Sequence, residues 1–256
     1  MTFLANSFKI RSTGKAIGVM KVKLSAALVK TPKYAVSTSG DSAEVVERPL
    51  GGLSALVVDG QGSGQPAKVL SAALAGRASA MISDGTRDGA VARAVHDWLF
   101  AQKHGRVSAA LTIISLATDT NTLVITQCGN CPVFVFSPTR RKSFASPTAP
   151  LGFYRFSRPQ VSQVELEPGL LAVTFSDGIL HAGRRSGKLN AEAWHTKIGA
   201  LYDGGIEPAG IAEKILAEAL SLDEQRPNDD MTVLVMGILD VPADGIRRLQ
   251  VEYPMK

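Results

Sequence analysis

Residues 107–136, VSAALTIISLATDTNTLVITQCGNCPVFVF, hold three apolar runs in succession, at 107–117, 122–127 and 132–136, separated by Asp, Asn, Gly and Pro turn signals. The pattern resumes at 160–166 (QVSQVEL) and 170–175 (LLAVTF), and again at 231–239 (MTVLVMGIL). Strands that follow one another without a helix after each argue against a doubly wound parallel sheet, because parallel neighbours need a crossover between them. The order predicts antiparallel sheets with helices layered outside.

Towards the N-terminus, residues 53–58 (LSALVV) read as a buried strand that stops at Asp59-Gly60 and enters the tight loop Gln61-Gly62-Ser63-Gly64. From Gln65 the period changes. Val69, Leu70, Ala73, Leu74, Ala78 and Met81 fall on one helical face, with Pro66 in the first turn, where its missing N–H costs nothing. A second helix is expected at about 87–103, with Thr86 as N-cap and an end near Gly105. Residues 19–29 read as a strand and 37–42 (STSGDS) as a turn, and two further helices are expected at about 191–202 and 208–221. The stretch 139–156 is the longest irregular one.

The chain has 256 residues, 45% hydrophobic and 20% charged, the balance of an ordinary globular protein able to bury a core without staples. Two cysteines, Cys128 and Cys131, exclude a disulfide scaffold. No apolar run approaches the roughly 20 residues that span a bilayer. Residues 1–20 lack a secretory pattern, so a cytoplasmic location is expected. The net charge is +5, but residues 1–33 hold seven basic side chains and no acidic one, leaving 21 basic against 23 acidic in the rest. The body of the protein is therefore no nucleic-acid binder by charge, and the lysines interleaved with Val, Leu and Ala read mainly as the solvated side of a first strand.

Four aspartates stand at the ends of apolar runs or in turns beside them: Asp41 in SGDS, Asp59 in VVDGQGSG, Asp177 in TFSDGIL and Asp229 in NDDMTVLV. An isolated Asp-Gly after a strand is usually just a turn. Four such positions in one chain differ, because strand ends fix their side chains at the rim of a sheet and can bring distant carboxylates together. Ionised carboxylates at one spot repel until protonated or matched by cations, and an all-oxygen set suits hard ions such as Mg²⁺ or Mn²⁺. In Asp229-Asp230 the nearest basic residue in sequence is Arg226.

The order SGD, DGxGxG, SDG and DDMT resembles the metal-dependent PPM-type serine/threonine phosphatases, the protein phosphatase 2C superfamily. The bacterial branch containing the sporulation stage II E phosphatase and the phosphatases of sigma-factor partner switching is the nearer likeness. It extends from about Lys21 to Leu239 and includes ITQCGNCPVFVF. The resemblance implies an α+β fold, a four-layer α-β-β-α sandwich with two mostly antiparallel sheets packed face to face and helices outside. It implies a phosphatase domain over 19–240, between a basic extension at 1–18 and a tail at 241–256. It also implies two Mn²⁺ or Mg²⁺ ions. Asp59 would bridge them, the Gly60 carbonyl would ligate one, Asp177 and Asp229 would complete the other, and Asp41 would support the second ion directly or through water. Asp59, Asp177 and Asp229 would be the catalytic set, for hydrolysis by water without a covalent enzyme intermediate. The implied substrate is a phosphorylated regulator of the anti-anti-sigma, STAS-domain kind.

Some positions depart from the family pattern. Gln61 stands where eukaryotic relatives carry a histidine, and Ser63 where the bacterial branch commonly has one. No arginine lies near Asp41 in sequence on the side where eukaryotic members bind substrate phosphate, Arg48 being on the other side. Two rival functions follow: a phosphatase fold kept as a non-catalytic binding module, and a phosphatase for small molecules. Cys128-Gly-Asn-Cys131 joins two strands rather than opening a helix and lacks a second CxxC, so it reads as turn and core. The loop 60–64 is GxGxG without the Lys-Ser/Thr of a phosphate loop. His96, His104, His181 and His195 show no triad arrangement, with His181 four residues after Asp177.

Overall fold

Residues 22–183, 189–241 and 245–252 are described by the computed structural model. The expected extension at 1–18 and the first residues of the expected 19–29 strand lie outside them. Among the described residues ten strands form two five-stranded sheets, one in the order β1 (Lys23–Thr31), β10 (Met231–Leu239), β9 (Leu171–Phe175), β6 (Val133–Phe136), β7 (Arg141–Phe144). The other runs β2 (Ser42–Glu47), β3 (Gly52–Gly60), β4 (Ala109–Ala117), β5 (Thr122–Cys128), β8 (Gln160–Glu165). Every strand pair in both sheets is antiparallel.

The continuous apolar runs reflect burial on both faces. In β3, Ala55 and Val57 face the other sheet while Leu56 and Val58 face helices α1 (Gly64–Ser83) and α2 (Asp88–Lys103). In β10, Leu234, Met236 and Ile238 join the same inter-sheet core, and Met231, Val233 and Val235 pack under the short α3 (Asp177–Leu180), α4 (Ala191–Asp203) and α5 (Pro208–Leu222). Period-two alternation thus splits each strand between two cores, and the result is the expected four-layer α-β-β-α sandwich. In β1, at a sheet edge, Lys23 and Lys30 are exposed, as expected of solvated lysines. Among the described residues no helix is long and apolar enough to cross a membrane.

Several local expectations need correction. The turn expected at 37–42 holds up to Asp41, but Ser42 opens β2, a strand the sequence hides because Glu44 and Glu47 break its apolar pattern. The stretch 139–156 contains β7, whose RKSF sequence is exposed at three of four positions at a sheet edge. The buried face of α1 is Ala67, Ser71, Leu74, Ala75, Ala78 and Ile82, while Val69 is 60% exposed. Small residues line that face because the helix lies close against the sheet. Helix α2 has Arg87 rather than Thr86 at its N-cap, with no side-chain cap bond, and its C-cap His104 is left-handed with φ 50°.

Candidate active site

Both sheets bring two neighbouring strands to the same edge of the sandwich. Asp41 precedes β2 and Asp59 is near the end of β3, and these strands pair Ser42 with Val58. Asp177 follows β9 and Asp229 precedes β10, and these pair Phe175 with Val233. Four carboxylates from four distant stretches of sequence therefore meet at one rim.

Their electrostatics show the convergence. Burial pushes the Asp59 carboxyl up to about 9, and Asp41, Asp177 and Asp229 add to the shift. Asp41, only 1% exposed, is pushed up to about 7 by burial, with Asp230 and Asp177 adding and hydrogen bonds from Thr232 and Ser176 opposing. The Thr232 hydroxyl donates to Asp41 Oδ2 at 2.6 Å. Asp229 is raised by burial, then by Asp177 and Asp230, while the Asp230 N–H and the Lys33 charge pull it down. Lys33 thus supplies a nearby cation that the sequence placed no closer than Arg226. Lys68, in the first turns of α1, donates to the Asp41 carbonyl at 2.9 Å and the Ser42 hydroxyl at 2.7 Å. Burial and the Lys30 charge lower its pKa.

The glycines beside these aspartates are set by close packing. A Cβ on Gly178 would stand 2.1 Å from the Asp230 carbonyl oxygen, one on Gly60 2.6 Å from that of Ala67, and one on Gly40 2.8 Å from the Ala67 Cβ. The need for glycine at position 60 thus has a packing cause, the approach of α1. In the glycine loop only Gly62 and Gly64 take left-handed φ, at 97° and 69°.

Asp230, read from sequence only as the neighbour of Asp229, is 4% exposed and accepts from the backbone N–H groups of Lys33 at 2.9 Å and Gly40 at 2.8 Å. It ties the β1–β2 connection to the start of β10. Asp223, which the sequence reading passed over, accepts from Gly183 at 2.8 Å and Asn228 at 2.9 Å, joining the segments that follow Asp177 and precede Asp229. Asp223 caps the C-terminus of α5 and Asp230 immediately precedes β10, positions that carry no distinctive local sequence pattern.

Gln61 is occupied elsewhere. Its side-chain oxygen accepts from the Ser108 N–H at 2.8 Å, and its own N–H donates to the Ser108 carbonyl at 3.1 Å, clamping the glycine loop to the start of β4. Ser63 sits at the N-cap of α1 without a side-chain cap bond. Arg48 pairs with buried Asp88 at 2.8 Å, at the start of α2. His181 Nδ1 lies 3.8 Å from Asp177 Oδ2. His96 is a core residue whose Nδ1 accepts from the Gly152 N–H at 3.0 Å, and His195 stacks on Phe136. Cys128 and Cys131 are free and buried. Burial pushes the Cys128 thiol up to about 12, and burial together with the charges of Asp59, Asp177 and Asp41 holds Cys131 well above the usual range. Burial and a raised pKa both disfavour the reactive thiolate, in keeping with the turn-and-core reading.

Among the described residues no three carboxylate, imidazole or thiol side chains already close into a cage around one ion. The chemistry of the donors nevertheless suits hard cations. Four carboxylates around one rim repel one another unless protonated or matched by cations, and Mg²⁺ commonly takes one or two carboxylates and keeps several waters.

A sandwich of this layering with paired acidic strand ends has the fold of the PP2C-type phosphatases. The model of the stage II sporulation protein E (SpoIIE) family matches residues 49–239, and the chain belongs to that family. Among solved structures, the PP2C phosphatase domain of SpoIIE from Bacillus subtilis, with a fragment of its regulatory domain, superposes with a TM-score of 0.71 at 22% identity. The match covers 85% of this chain and 64% of that one, so the chain spans less than two thirds of that relative. The PP2C domain of SiaA from Pseudomonas aeruginosa gives 0.69 at 17% identity, over 83% of this chain and 85% of that one. The serine/threonine phosphatase PstP/Ppp of Mycobacterium tuberculosis gives 0.64 at 16% identity, over 85% and 99%. Among curated proteins none matches the chain by sequence.

Proposed function

We propose that the chain is a metal-dependent protein phosphatase that hydrolyses phosphoserine or phosphothreonine on a regulatory protein. The observation that carries this reading is the meeting of Asp41, Asp59, Asp177 and Asp229 at one rim, with Asp59 pushed up to about 9 by burial and by the other three carboxylates. Asp59 and the Gly60 carbonyl, with Asp41, Asp177 and Asp229, would hold two divalent ions, Mn²⁺ or Mg²⁺. When bound, such ions supply Lewis acidity and neutralise charge on phosphoryl oxygens.

The chain's own residues hold that constellation in place. Thr232 orients Asp41, Asp230 fixes the β1–β2 connection beside it, and Asp223 holds the two segments that carry Asp177 and Asp229. The Gln61–Ser108 clamp holds the turn after Asp59. Both thiols are buried, with their pKa values raised, and the reading assigns the attack on phosphorus to water. A cavity of about 370 Å³ between Ser137 and Asp203 lies apart from the four aspartates, and the choice of a protein over a small-molecule substrate rests on the family likeness. The phosphatase domain would comprise 19–240, between an extension at 1–18 and a tail at 241–256. By family analogy the substrate would be a STAS-domain regulator, and the setting cytoplasmic.

The test is Mn²⁺-dependent hydrolysis of p-nitrophenyl phosphate and of a phosphoserine peptide, with Asp177→Asn as control. Turnover that needs the metal and disappears in the variant supports the enzyme. Metal binding without turnover would favour a binding module instead.

A further inference from the structure

Three large apolar side chains stand exposed on one short loop: Phe153 is 50%, Tyr154 54% and Phe156 84% accessible. Grouped rings of this kind are uncommon on a surface that binds nothing. The root of the loop is rigid. Leu151 exchanges backbone hydrogen bonds with Ala109 at 3.2 and 2.8 Å, the Gly152 N–H donates to buried His96, and Thr148 bonds Gly129 on both sides. At the tip, Phe153–Phe156 and Arg158 are exposed, while the Ser157 hydroxyl is buried.

Two further features define what would cover it. The first is charge: from Thr120 to Val164 the sequence holds no Asp or Glu, and Arg155 and Arg158, both exposed, have no carboxylate within ion-pair distance among the described residues. Arg155 lies over the Phe156 ring at 5.5 Å, and exposed Arg106 follows Gly105, which packs near the Phe153 carbonyl. The second is position. Gly60 pairs with Ala109, and Ala109 bridges to Leu151, so Leu151 stands two strand spacings, about 10 Å, from the Gly60 of the aspartate rim. An extended peptide covers that distance in about three residues.

We propose that Phe153–Arg158 is the docking surface for an acidic, apolar-bearing segment of the phosphoprotein substrate, about three to six residues from the phosphorylated side chain. This rests on the phosphatase reading for the identity of the occupant. Aromatic rings and arginines on a fixed support are the groups that carry binding energy at interfaces, and unpaired guanidinium groups select an acidic partner.

The experiment compares two fluorescein-labelled phosphoserine peptides by anisotropy, one flanked by Glu and Leu, the other by Lys and Gly. Probed with full-length protein and with the triple variant Phe156→Ser, Arg155→Glu, Arg158→Glu, all exposed positions, the acidic peptide is expected to bind the parent about tenfold tighter than the basic one. The variant is expected to lose that preference with its thermal midpoint unchanged. Equal affinity for the two peptides, or a preference surviving in the variant, overturns the proposal. So does sedimentation showing that the loop joins two copies of the chain, or binding to anionic vesicles that the variant abolishes. Hydrolysis of p-nitrophenyl phosphate by the parent protein separates the two readings. If it is absent while the peptide preference holds, the phosphatase reading fails and the docking surface stands.

Discussion

Gly178 lies against the backbone carbonyl of Asp230 so closely that a Cβ there would stand 2.1 Å from the oxygen. The Asp177-Gly178 pair is therefore a packing unit with the Asp229-Asp230 loop. Gly178→Ala forces the two loops apart, and overpacking of this kind costs about 1–3 kcal/mol. Thermal unfolding is expected to register that loss, with metal-dependent turnover down by more than about tenfold, since each 1.4 kcal/mol of lost transition-state stabilisation is a factor of ten. A variant as stable and as active as the parent would show that the two loops move independently.

Asp229 and Asp230 are adjacent but are assigned opposite roles. Asp230→Asn keeps the size but loses one of two accepted backbone N–H bonds, and is expected to destabilise the fold by about 1–3 kcal/mol. Asp229→Asn removes charge from a repulsive rim, so the metal-free protein should be at least as stable as the parent while its Mn²⁺ affinity falls. Paired melting curves and metal titrations decide the assignment. It is wrong if Asp230→Asn is the one that loses metal without losing stability.

Asp59 at about 9, Asp41 at about 7 and the raised Asp229 all hold protons in the folded state that they release when unfolded, near the ordinary 3.8. Between those limits the folded protein binds more protons than the unfolded one, so stability falls as pH rises. The thermal midpoint of the metal-free protein is expected to drop from pH 5 to pH 8. Asp59→Asn should flatten the slope, and saturating Mn²⁺ should reverse it. A metal-free midpoint that rises over this interval contradicts the convergence of the four carboxylates.

Gln61 is held by Ser108 on both its backbone and its side chain, so it serves the turn rather than proton transfer. Gln61→Ala should cost about 1 kcal/mol of stability, the net worth of an ordinary hydrogen bond. The pH–rate profile should keep its shape. A changed profile in this variant would instead show that Gln61 acts on the proton path through its hydrogen bonds, since a carboxamide does not itself titrate.

The sandwich was legible wherever strands are buried on both faces, because runs such as 231–239 carry no charged residue and only Thr232 as a polar one. It was illegible at the edges. Strands β2 and β7 carry charges on solvated faces and owe their form to pairing with β3 and β6, which no local pattern records. Asp41, Asp59, Asp177 and Asp229 could be picked out because each lies beside an apolar run or in a turn next to one. Asp223 and Asp230 could not, since what distinguishes them is which backbone N–H groups from distant segments point at them. The exposed face of α1 was misjudged for a related reason: Val69 fits the helical period, but the close approach of the helix to the sheet selects Ala67, Ser71 and Ala75 for burial.

Calorimetric titration of Mn²⁺ into the metal-free protein at pH 7, in buffers of different ionisation enthalpy, tests the central claim most directly. The four-carboxylate centre predicts two ions bound per chain with release of protons, because Asp59 is protonated before the metal arrives. It also predicts that both effects weaken together in Asp59→Asn. Absence of binding, or binding without proton release that Asp59→Asn leaves untouched, would contradict it.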